Sequence, residues 1–269
     1  MSRVEKRNSM RGTKTQHSYL LDGSIKLPGV TTILGALSKG DALNYWASKM
    51  GGRYGMENAA ELWSLPEDVR DLRLGRAHAV ARDAAGEIGT QFHGFAQRLA
   101  LGEPVSRAEI READPDLLRM LMWARKFLDS YQFKPLLTET VVWSLQHRYA
   151  GTLDLVASSP LFPGRVFLLD WKTGGVYRDA ALQLAAYANA DFYVSASGED
   201  GPMGELEITD HVVLKIDQSE GRVVPVPLAT GPEVFDYFLT AKAAYERRVL
   251  DKTLVSKDEL TRPQVEVLS

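Results

Sequence analysis

Two short segments place acidic and basic side chains in apolar, strand-like surroundings. The first is Gly151-Thr152-Leu153-Asp154, and the second is Leu169-Asp170-Trp171-Lys172-Thr173-Gly174. Alternate residues of a strand share a face, so Asp170 and Lys172 point the same way. Two carboxylates with an ammonium group beside them can hold a divalent metal against a phosphodiester and stabilise the charge that develops during its hydrolysis. These residue types therefore predict a metal-dependent hydrolytic site.

The connection between the two segments predicts how they pair. Residues 158–164 are few enough for an antiparallel hairpin, in which the numbers of opposed residues have a constant sum. With the loop centre near Leu161 or Phe162, Asp154 and Asp170 fall close to direct opposition. Carboxylates that close repel unless a cation lies between them, and Mg²⁺ or Mn²⁺ suits oxygen ligands. A surface ion pair on a sheet edge explains an isolated D-x-K, whereas the acidic hairpin partner favours a site.

Three further features support the site, each with an ordinary structural alternative. Glu139 shares a strand face with Val141 and Trp143, and a buried carboxylate is costly unless it is paired or metal-bound. An edge-strand glutamate that reaches solvent explains it equally well. His93 flanks the apolar stripe of a helix among small neighbours, where many histidines are structural. Gln183 and Tyr187 share one face of the helix after the D-x-K strand, although a tyrosine at this spacing is often core.

In this order, the motifs G-x-x-x-H, strand Glu, G-x-x-D, D-x-K-T-G and Q-x-x-x-Y resemble the PD-(D/E)XK nuclease superfamily. The resemblance is to its RecB-like exonuclease branch, which includes the CRISPR-associated exonucleases and their phage-encoded relatives. The segment 27–34, with Trp46-Ala47 beyond it, also looks like the N-terminal part of the phage members, and the match spans residues 19–190. The resemblance implies metal contacts and catalytic groups at His93, Asp154, Asp170, the backbone carbonyl of Trp171, the catalytic Lys172 and the supporting Glu139.

The same resemblance implies Mg²⁺ or Mn²⁺ as cofactor, DNA as partner, and a DNA path lined by Gln183 and Tyr187. Residues near the site in sequence extend the candidate groove to Thr173, Arg178, Arg148 and Tyr149. Basic residues of the preceding helix are weaker candidates, because a solvated helix face explains them equally well: Arg119, Arg125 and Lys126.

Composition excludes several classes of site. The chain has 269 residues and no cysteine, so disulfides, thiolate zinc sites and the iron–sulfur cluster of many CRISPR-associated exonucleases are excluded. No P-loop pattern is present, so neither helicase nor ATPase activity is expected. The net charge of −3 gives no global footprint for nucleic acid. We expect no membrane span and no secretory signal, and therefore an intracellular location, the host cytoplasm if the chain is phage-encoded.

Periodicity predicts an α/β (α+β) core behind a helical N-terminal region. The resemblance implies that this core is a restriction-endonuclease-like PD-(D/E)XK fold, a mixed β-sheet flanked by helices in the order αβββαβ. Residues 1–17 read as a disordered tail, 18–255 as one domain and 256–269 as a C-terminal tail. The helical part covers 28–131 and the catalytic core 86–217. The predicted elements are a hairpin over 18–26, helices at 31–37, 41–60, 67–84, 86–101, from Asp114-Pro115 onward, 179–195 and 232–250, and strands at 136–145, 151–158, 165–171, 206–216 and 223–228.

The expected function is a metal-dependent DNA exonuclease that acts on linear ends or single strands in phage or bacterial recombination, repair or replication. An endonuclease of the same fold and a non-catalytic DNA-binding or interaction module are the alternatives. If the enzyme is processive, processivity must come from a homo-oligomer or a recombination partner protein.

Overall fold

A mixed sheet with helices on both faces forms the centre of the protein, in a computed structural model that describes residues 3–11, 14–35, 37, 40–195 and 197–251. Seven strands follow the spatial order β10-β9-β6-β5-β4-β7-β8, and β6 and β9 run parallel while the other neighbours are antiparallel. These strands are β4 Lys134–Ser144, β5 Tyr149–Ser158, β6 Val166–Lys172, β7 Phe192–Val194, β8 Asp200–Pro202, β9 Asp210–Asp217 and β10 Arg222–Pro227. The α+β class and the mixed sheet predicted from periodicity are confirmed.

A second, three-stranded antiparallel sheet lies at the N-terminus. It consists of β1 Val4–Arg11, β2 Lys14–Leu21 and β3 Ile25–Leu27. The helices are α1 Val30–Leu34, α2 Gly40–Glu57, α3 Ala59–Trp63, α4 Glu67–Ala100, α5 Arg107–Glu112, α6 Pro115–Tyr131, α7 Arg178–Ala188 and α8 Pro232–Asp251. No helix in these described ranges is long and apolar enough to cross a membrane.

Each face of the large sheet has its own core. On one face α1, α7 and α8 pack against alternate strand residues such as Val156 and Leu168. On the other face α4 and α6 pack against the intervening residues, among them Leu155, Leu169 and Trp171. The period of two therefore sends neighbouring residues of β5 and β6 into different cores. Both faces of β5 and β6 are therefore covered by helices.

The start of α6 follows its sequence signal. The Asp114 side chain accepts a hydrogen bond of 2.7 Å from the backbone N–H of Asp116, and Pro115 occupies the first turn. Proline fits there because its missing N–H would have no helical partner. Gln132, in the left-handed conformation, ends the helix. The predicted start at Asp114-Pro115 is confirmed.

The predicted disordered tail over residues 1–17 is wrong where the chain is described, because β1 and β2 form a hairpin there. Val4 is 2% exposed and packs with Tyr19 and Leu21 against Val141 and Trp143 of the large sheet. The polar composition concealed this, since only one face of the hairpin is apolar. The predicted hairpin turn at 21–24 is confirmed by the hydrogen bond from Ser24 N–H to the Leu21 carbonyl.

Three other element boundaries differ from prediction. Helix α4 continues through Gly86, since a single glycine costs only about 1 kcal/mol in a helix. The predicted helix over 179–195 ends at Ala188, and 192–194 adds an edge strand beside β4. The predicted strand over 206–216 begins at Asp210, after a 3₁₀ turn at Met203–Leu206. The predicted C-terminal tail lies outside the described residues.

Candidate metal centre

The hairpin of β5 and β6 brings two acidic residues together. Leu155 lies opposite Leu169 and Val156 opposite Leu168. One step further in the same register, Asp154 is opposite Asp170. This is the register expected from the length of the loop, and it places both carboxylates at the end of the paired region.

Asp154 is held from two directions. Its Oδ2 accepts a hydrogen bond of 2.8 Å from the backbone N–H of Trp171, and the same oxygen lies 3.2 Å from Nδ1 of His93. His93 reaches the site from α4. The preceding Phe92 packs edge-on against the Trp171 ring, with centroids 5.5 Å apart, which seats this part of α4 on β6. The Asp154 carboxylate is thereby fixed between a helix and a strand.

Glu139 occupies an unusual backbone conformation directly across from Asp154. The β4–β5 ladder pairs Thr138 with Leu155 and Thr140 with Leu153, and it skips Glu139, whose φ is 44°. A left-handed conformation costs a non-glycine residue about 1–2 kcal/mol. Strain of this kind persists at functional sites where the surroundings enforce it. Here it accompanies a carboxylate whose Oε1 lies 4.0 Å from Nδ1 of His93.

One ligand atom each from His93, Glu139 and Asp154 lies within 4.8 Å of the others. Three such atoms at this spacing can converge on a single cation. Among the described side chains, Asp170 does not belong to this group of possible ligands, although the sequence resemblance implied it as a metal contact. Trp171, expected to offer its carbonyl, contributes its N–H to Asp154.

Asp170 is instead tied to a lysine and a glutamine. Its side chain is 3% exposed, Oδ1 accepts a hydrogen bond of 3.0 Å from Gln183 Nε2, and Oδ2 lies 2.5 Å from the Lys172 ammonium. The Lys172 ammonium is therefore the ionic partner of this buried oxygen. Gln183 also bonds Tyr187 OH at 3.2 Å and Lys172 Nζ at 3.4 Å. The Gln183 amide therefore contacts the Asp170 carboxylate, the Lys172 ammonium and the Tyr187 hydroxyl.

The glycine of G-x-x-D has a steric role. A Cβ on Gly151 would lie 2.3 Å from Cε1 of Tyr187. The tyrosine ring lies directly on the strand backbone, which only glycine permits. Through the Tyr187–Gln183 hydrogen bond this contact supports Asp170.

Charges in the site perturb one another strongly. Burial alone would lower the pKa of His93, but the negative charges of Asp154, Asp170 and Glu139 raise it to about 9. Burial opposes ionisation of Asp154, yet His93 and Lys172 hold its pKa below the ordinary value. Burial and the charge of Asp154 raise the pKa of Asp170 to about 6 and also raise that of Glu139. Without a metal, a protonated His93 therefore balances the excess negative charge.

The residues present suit a divalent cation. One imidazole nitrogen and two carboxylates, from His93, Glu139 and Asp154, could hold a metal ion. The excess of negative charge in the cluster also favours a cation here. Binding would release the proton from His93, since only neutral imidazole is a ligand.

Of the predicted DNA-contacting residues, some lie near the site or on the surface, and others are buried. Thr173 lies against Gly89 of α4, one turn before His93, and Arg178 is exposed at the start of α7. Tyr187 is 3% exposed, so its predicted place along a DNA path is corrected to a supporting place behind the site.

Two predicted contacts lie away from the cluster of His93, Glu139 and Asp154. Tyr149 is fully buried and donates a 2.7 Å hydrogen bond to the Ala186 carbonyl, so it does not line a groove. Arg148 lies in the turn before β5, roughly 20 Å from Asp154 along the strand, and its contact with DNA stays a prediction. On α6, Arg119 pairs with Asp116 and Arg125 with Asp129, and with the exposed Lys126 they fit the solvated-face interpretation.

One residue near the site was missed. Tyr19 OH is hydrogen-bonded to Thr152 Oγ1 at 3.0 Å, two residues before Asp154. The predicted hairpin at 18–26 contained the signal, but its packing partner is 133 residues away. Comparison with known proteins adds no identity, since neither a protein-family model nor a curated protein matches the chain.

Proposed function

We propose that the chain is a Mg²⁺- or Mn²⁺-dependent deoxyribonuclease of the PD-(D/E)XK type, from the RecB-like branch, acting as an exonuclease. One observation carries the proposal. His93, Glu139 and Asp154 converge within 4.8 Å, while Asp170 and Lys172 form an ion pair on the adjoining strand. These residues are spread over 80 positions of the sequence, and they are the ones that the ordered motifs single out.

The metal would be held by His93, Glu139 and Asp154, with Asp170 next to them. When bound, it would polarise the phosphodiester and lower the pKa of an attacking water. Trp171 N–H keeps Asp154 Oδ2 turned toward His93. The excess negative charge of the unliganded cluster supplies the attraction for the cation.

Lys172 is the group placed to neutralise negative charge that develops on the phosphate. Its ammonium is restrained by Asp170 Oδ2 at 2.5 Å and by Gln183 Oε1 at 3.4 Å. Restraint of a flexible lysine before substrate arrives avoids an ordering cost at the moment of reaction. Asp170 and Gln183 thus position Lys172.

End-labelled linear DNA incubated with Mg²⁺ or Mn²⁺ tests the proposal. The wild-type protein should degrade it, and Asp170→Ala and Lys172→Ala should each reduce the rate by at least about a hundredfold. Lys215→Ala is the matched control: Lys215 occupies the paired position on β9 and forms its ion pair with Asp217 at 2.9 Å. It should retain activity.

Topology of the substrate separates the finer alternatives. A covalently closed circle that resists the protein supports an exonuclease, and its cleavage supports an endonuclease of the same fold. DNA binding without cleavage across Mg²⁺, Mn²⁺ and Ca²⁺ would contradict a nuclease and favour a binding module. Full activity in both Asp170→Ala and Lys172→Ala would refute the site.

A further inference from the structure

The N-terminal hairpin is fixed beside the candidate metal centre. Val4 and Leu27 join Val141, Trp143 and Val194 in one buried cluster. The hydrogen bond of Tyr19 to Thr152 joins the same sheet to the strand that carries Asp154. Strand β1 therefore forms a wall next to the site.

Alternation along β1 turns Lys6 toward this site. Val4 points into the buried cluster, and Lys6, two residues on, shares its face and pairs with Tyr19. Lys6 is half-buried, and its positive charge acts on Glu139, where it partly offsets the rise in pKa caused by burial. Within the described part of the chain, no carboxylate lies close enough to form an ion pair with Lys6. A half-buried ammonium without an ion-pair partner is available to an anion.

A cleft of about 340 Å³ separates β1 from β4 and β7. This volume is at the lower end of the range for small-ligand sites. Three valines and Ser195 line the cleft, Lys6 and Arg3 add positive charge, and Glu139 closes the end toward the metal centre. Glu5 also lines it, and its carboxylate is paired with Arg7 at 3.4 Å. Arg3 Nη2 donates to the backbone carbonyl of Gly198 at 3.4 Å, an uncharged partner.

This arrangement matches one unit of a polynucleotide. A phosphate would lie at Lys6, away from the repelling Glu139, with sugar or base edges on Val4, Val141 and Val194. A cleft of about 340 Å³ suits one nucleotide of a single strand better than a base pair with both backbones.

We propose that the cleft between β1 and β4 binds a single nucleic-acid strand next to the metal centre, with Lys6 contacting a backbone phosphate. The substrate class rests on the proposed nuclease function. The hairpin thereby becomes part of the substrate path, and Lys6 becomes a binding residue.

Binding of fluorescein-labelled oligo(dT) single strands, followed by anisotropy, tests the cleft. The full chain carries Lys172→Ala so that DNA stays intact, and salt is varied from about 50 to about 200 mM. Lys6→Gln should weaken binding about three- to tenfold and lower the slope of log affinity against log salt by about 0.7, the loss of one phosphate contact. Lys6→Met, which keeps the apolar stem, should behave in the same way, and Lys6→Arg should restore binding.

Lys26→Gln is the matched control, because Lys26 lies exposed on β3 of the same sheet and pairs with Leu20, on the opposite face from Tyr19. It should change affinity by less than about twofold, in line with a lone surface charge. Equal affinity and salt slope in Lys6→Gln, Lys6→Met and Lys26→Gln would overturn the cleft, as would a wild-type chain that binds no single strand.

The two proposals fail in different ways. If the wild-type chain cleaves DNA but the Lys6 variants bind like wild type, the cleft is wrong and the nuclease stands. If binding depends on Lys6 while no metal supports cleavage, the nuclease is wrong and the cleft stands.

Discussion

The left-handed backbone at Glu139 makes a quantitative prediction about stability. Glu139→Gly and Glu139→Ala both remove the carboxylate, but only glycine relieves the conformation at φ 44°. The strain costs about 1–2 kcal/mol for alanine. Relief of this strain favours the glycine variant, but about 0.4–1 kcal/mol of that gain is lost because glycine gives the unfolded chain more conformational freedom. The difference between the two ranges is about 0–1.6 kcal/mol, so we expect the unfolding free energy of Glu139→Gly to exceed that of Glu139→Ala by about 0.8 kcal/mol.

Urea unfolding of the metal-free chain in EDTA at neutral pH measures this difference. Lys215 supplies the control, since it lies in the regular ladder between β6 and β9. There the order should reverse, with Lys215→Gly less stable than Lys215→Ala by about 0.5–1 kcal/mol. An alanine variant at 139 that is more stable than the glycine variant by about 0.5–1 kcal/mol, as at Lys215, would show that no strain is stored at this position.

Three further outcomes are expected. Gly151→Ala drives a Cβ into the Tyr187 ring, so it should lower the unfolding free energy by about 1–3 kcal/mol and reduce cleavage. Gly94→Ala is the control: the space around Gly94 is open, so chemical denaturation should show no loss of unfolding free energy. Mn²⁺ at a hundredfold excess over its dissociation constant should stabilise the wild type by about 2.7 kcal/mol, and a thermal-shift assay that finds the same gain in Asp154→Asn would contradict the metal site. Burial lowers the pKa of His211 to about 4, so the unfolded state binds the imidazole proton first as pH falls. The unfolding free energy should therefore drop by up to about 3 kcal/mol between about pH 6.5 and 4. An equally steep loss in a His211→Leu variant would exclude this cause.

Local signals predicted those parts of the fold that depend on a few neighbouring residues. The helix start at Asp114-Pro115 rests on one cap, and the opposition of Asp154 and Asp170 rests on the length of one loop. Both can be worked out without knowledge of distant contacts. The alternating strands likewise need only the period of two.

Features that depend on distant partners were not accessible from sequence. The hairpin at β1 and β2 reads as polar, because the apolar surface that stabilises it comes from β4 and β7. Glu139 shows no local sign of a left-handed backbone. The spacing of Tyr187 indicated a place near the site, but not that its ring is buried behind the site. That position depends on the missing Cβ of Gly151, which lets the ring lie on the strand backbone.

The hydrogen bond of Tyr19 to Thr152 also has a consequence for biosynthesis. At about 5–20 residues per second, a ribosome needs roughly 7–27 s to advance between these residues, which lie 133 positions apart. The apolar face of the N-terminal sheet packs on Val141 and Trp143 of β4 and on Ala150 of β5, so this face stays uncovered until those strands emerge. During that interval Val4 and Leu27 lack their packing partners and are open to chaperones and proteases. The hairpin of β1 and β2 is thus translated before the strands that cover it, and the order of assembly runs against the order of synthesis.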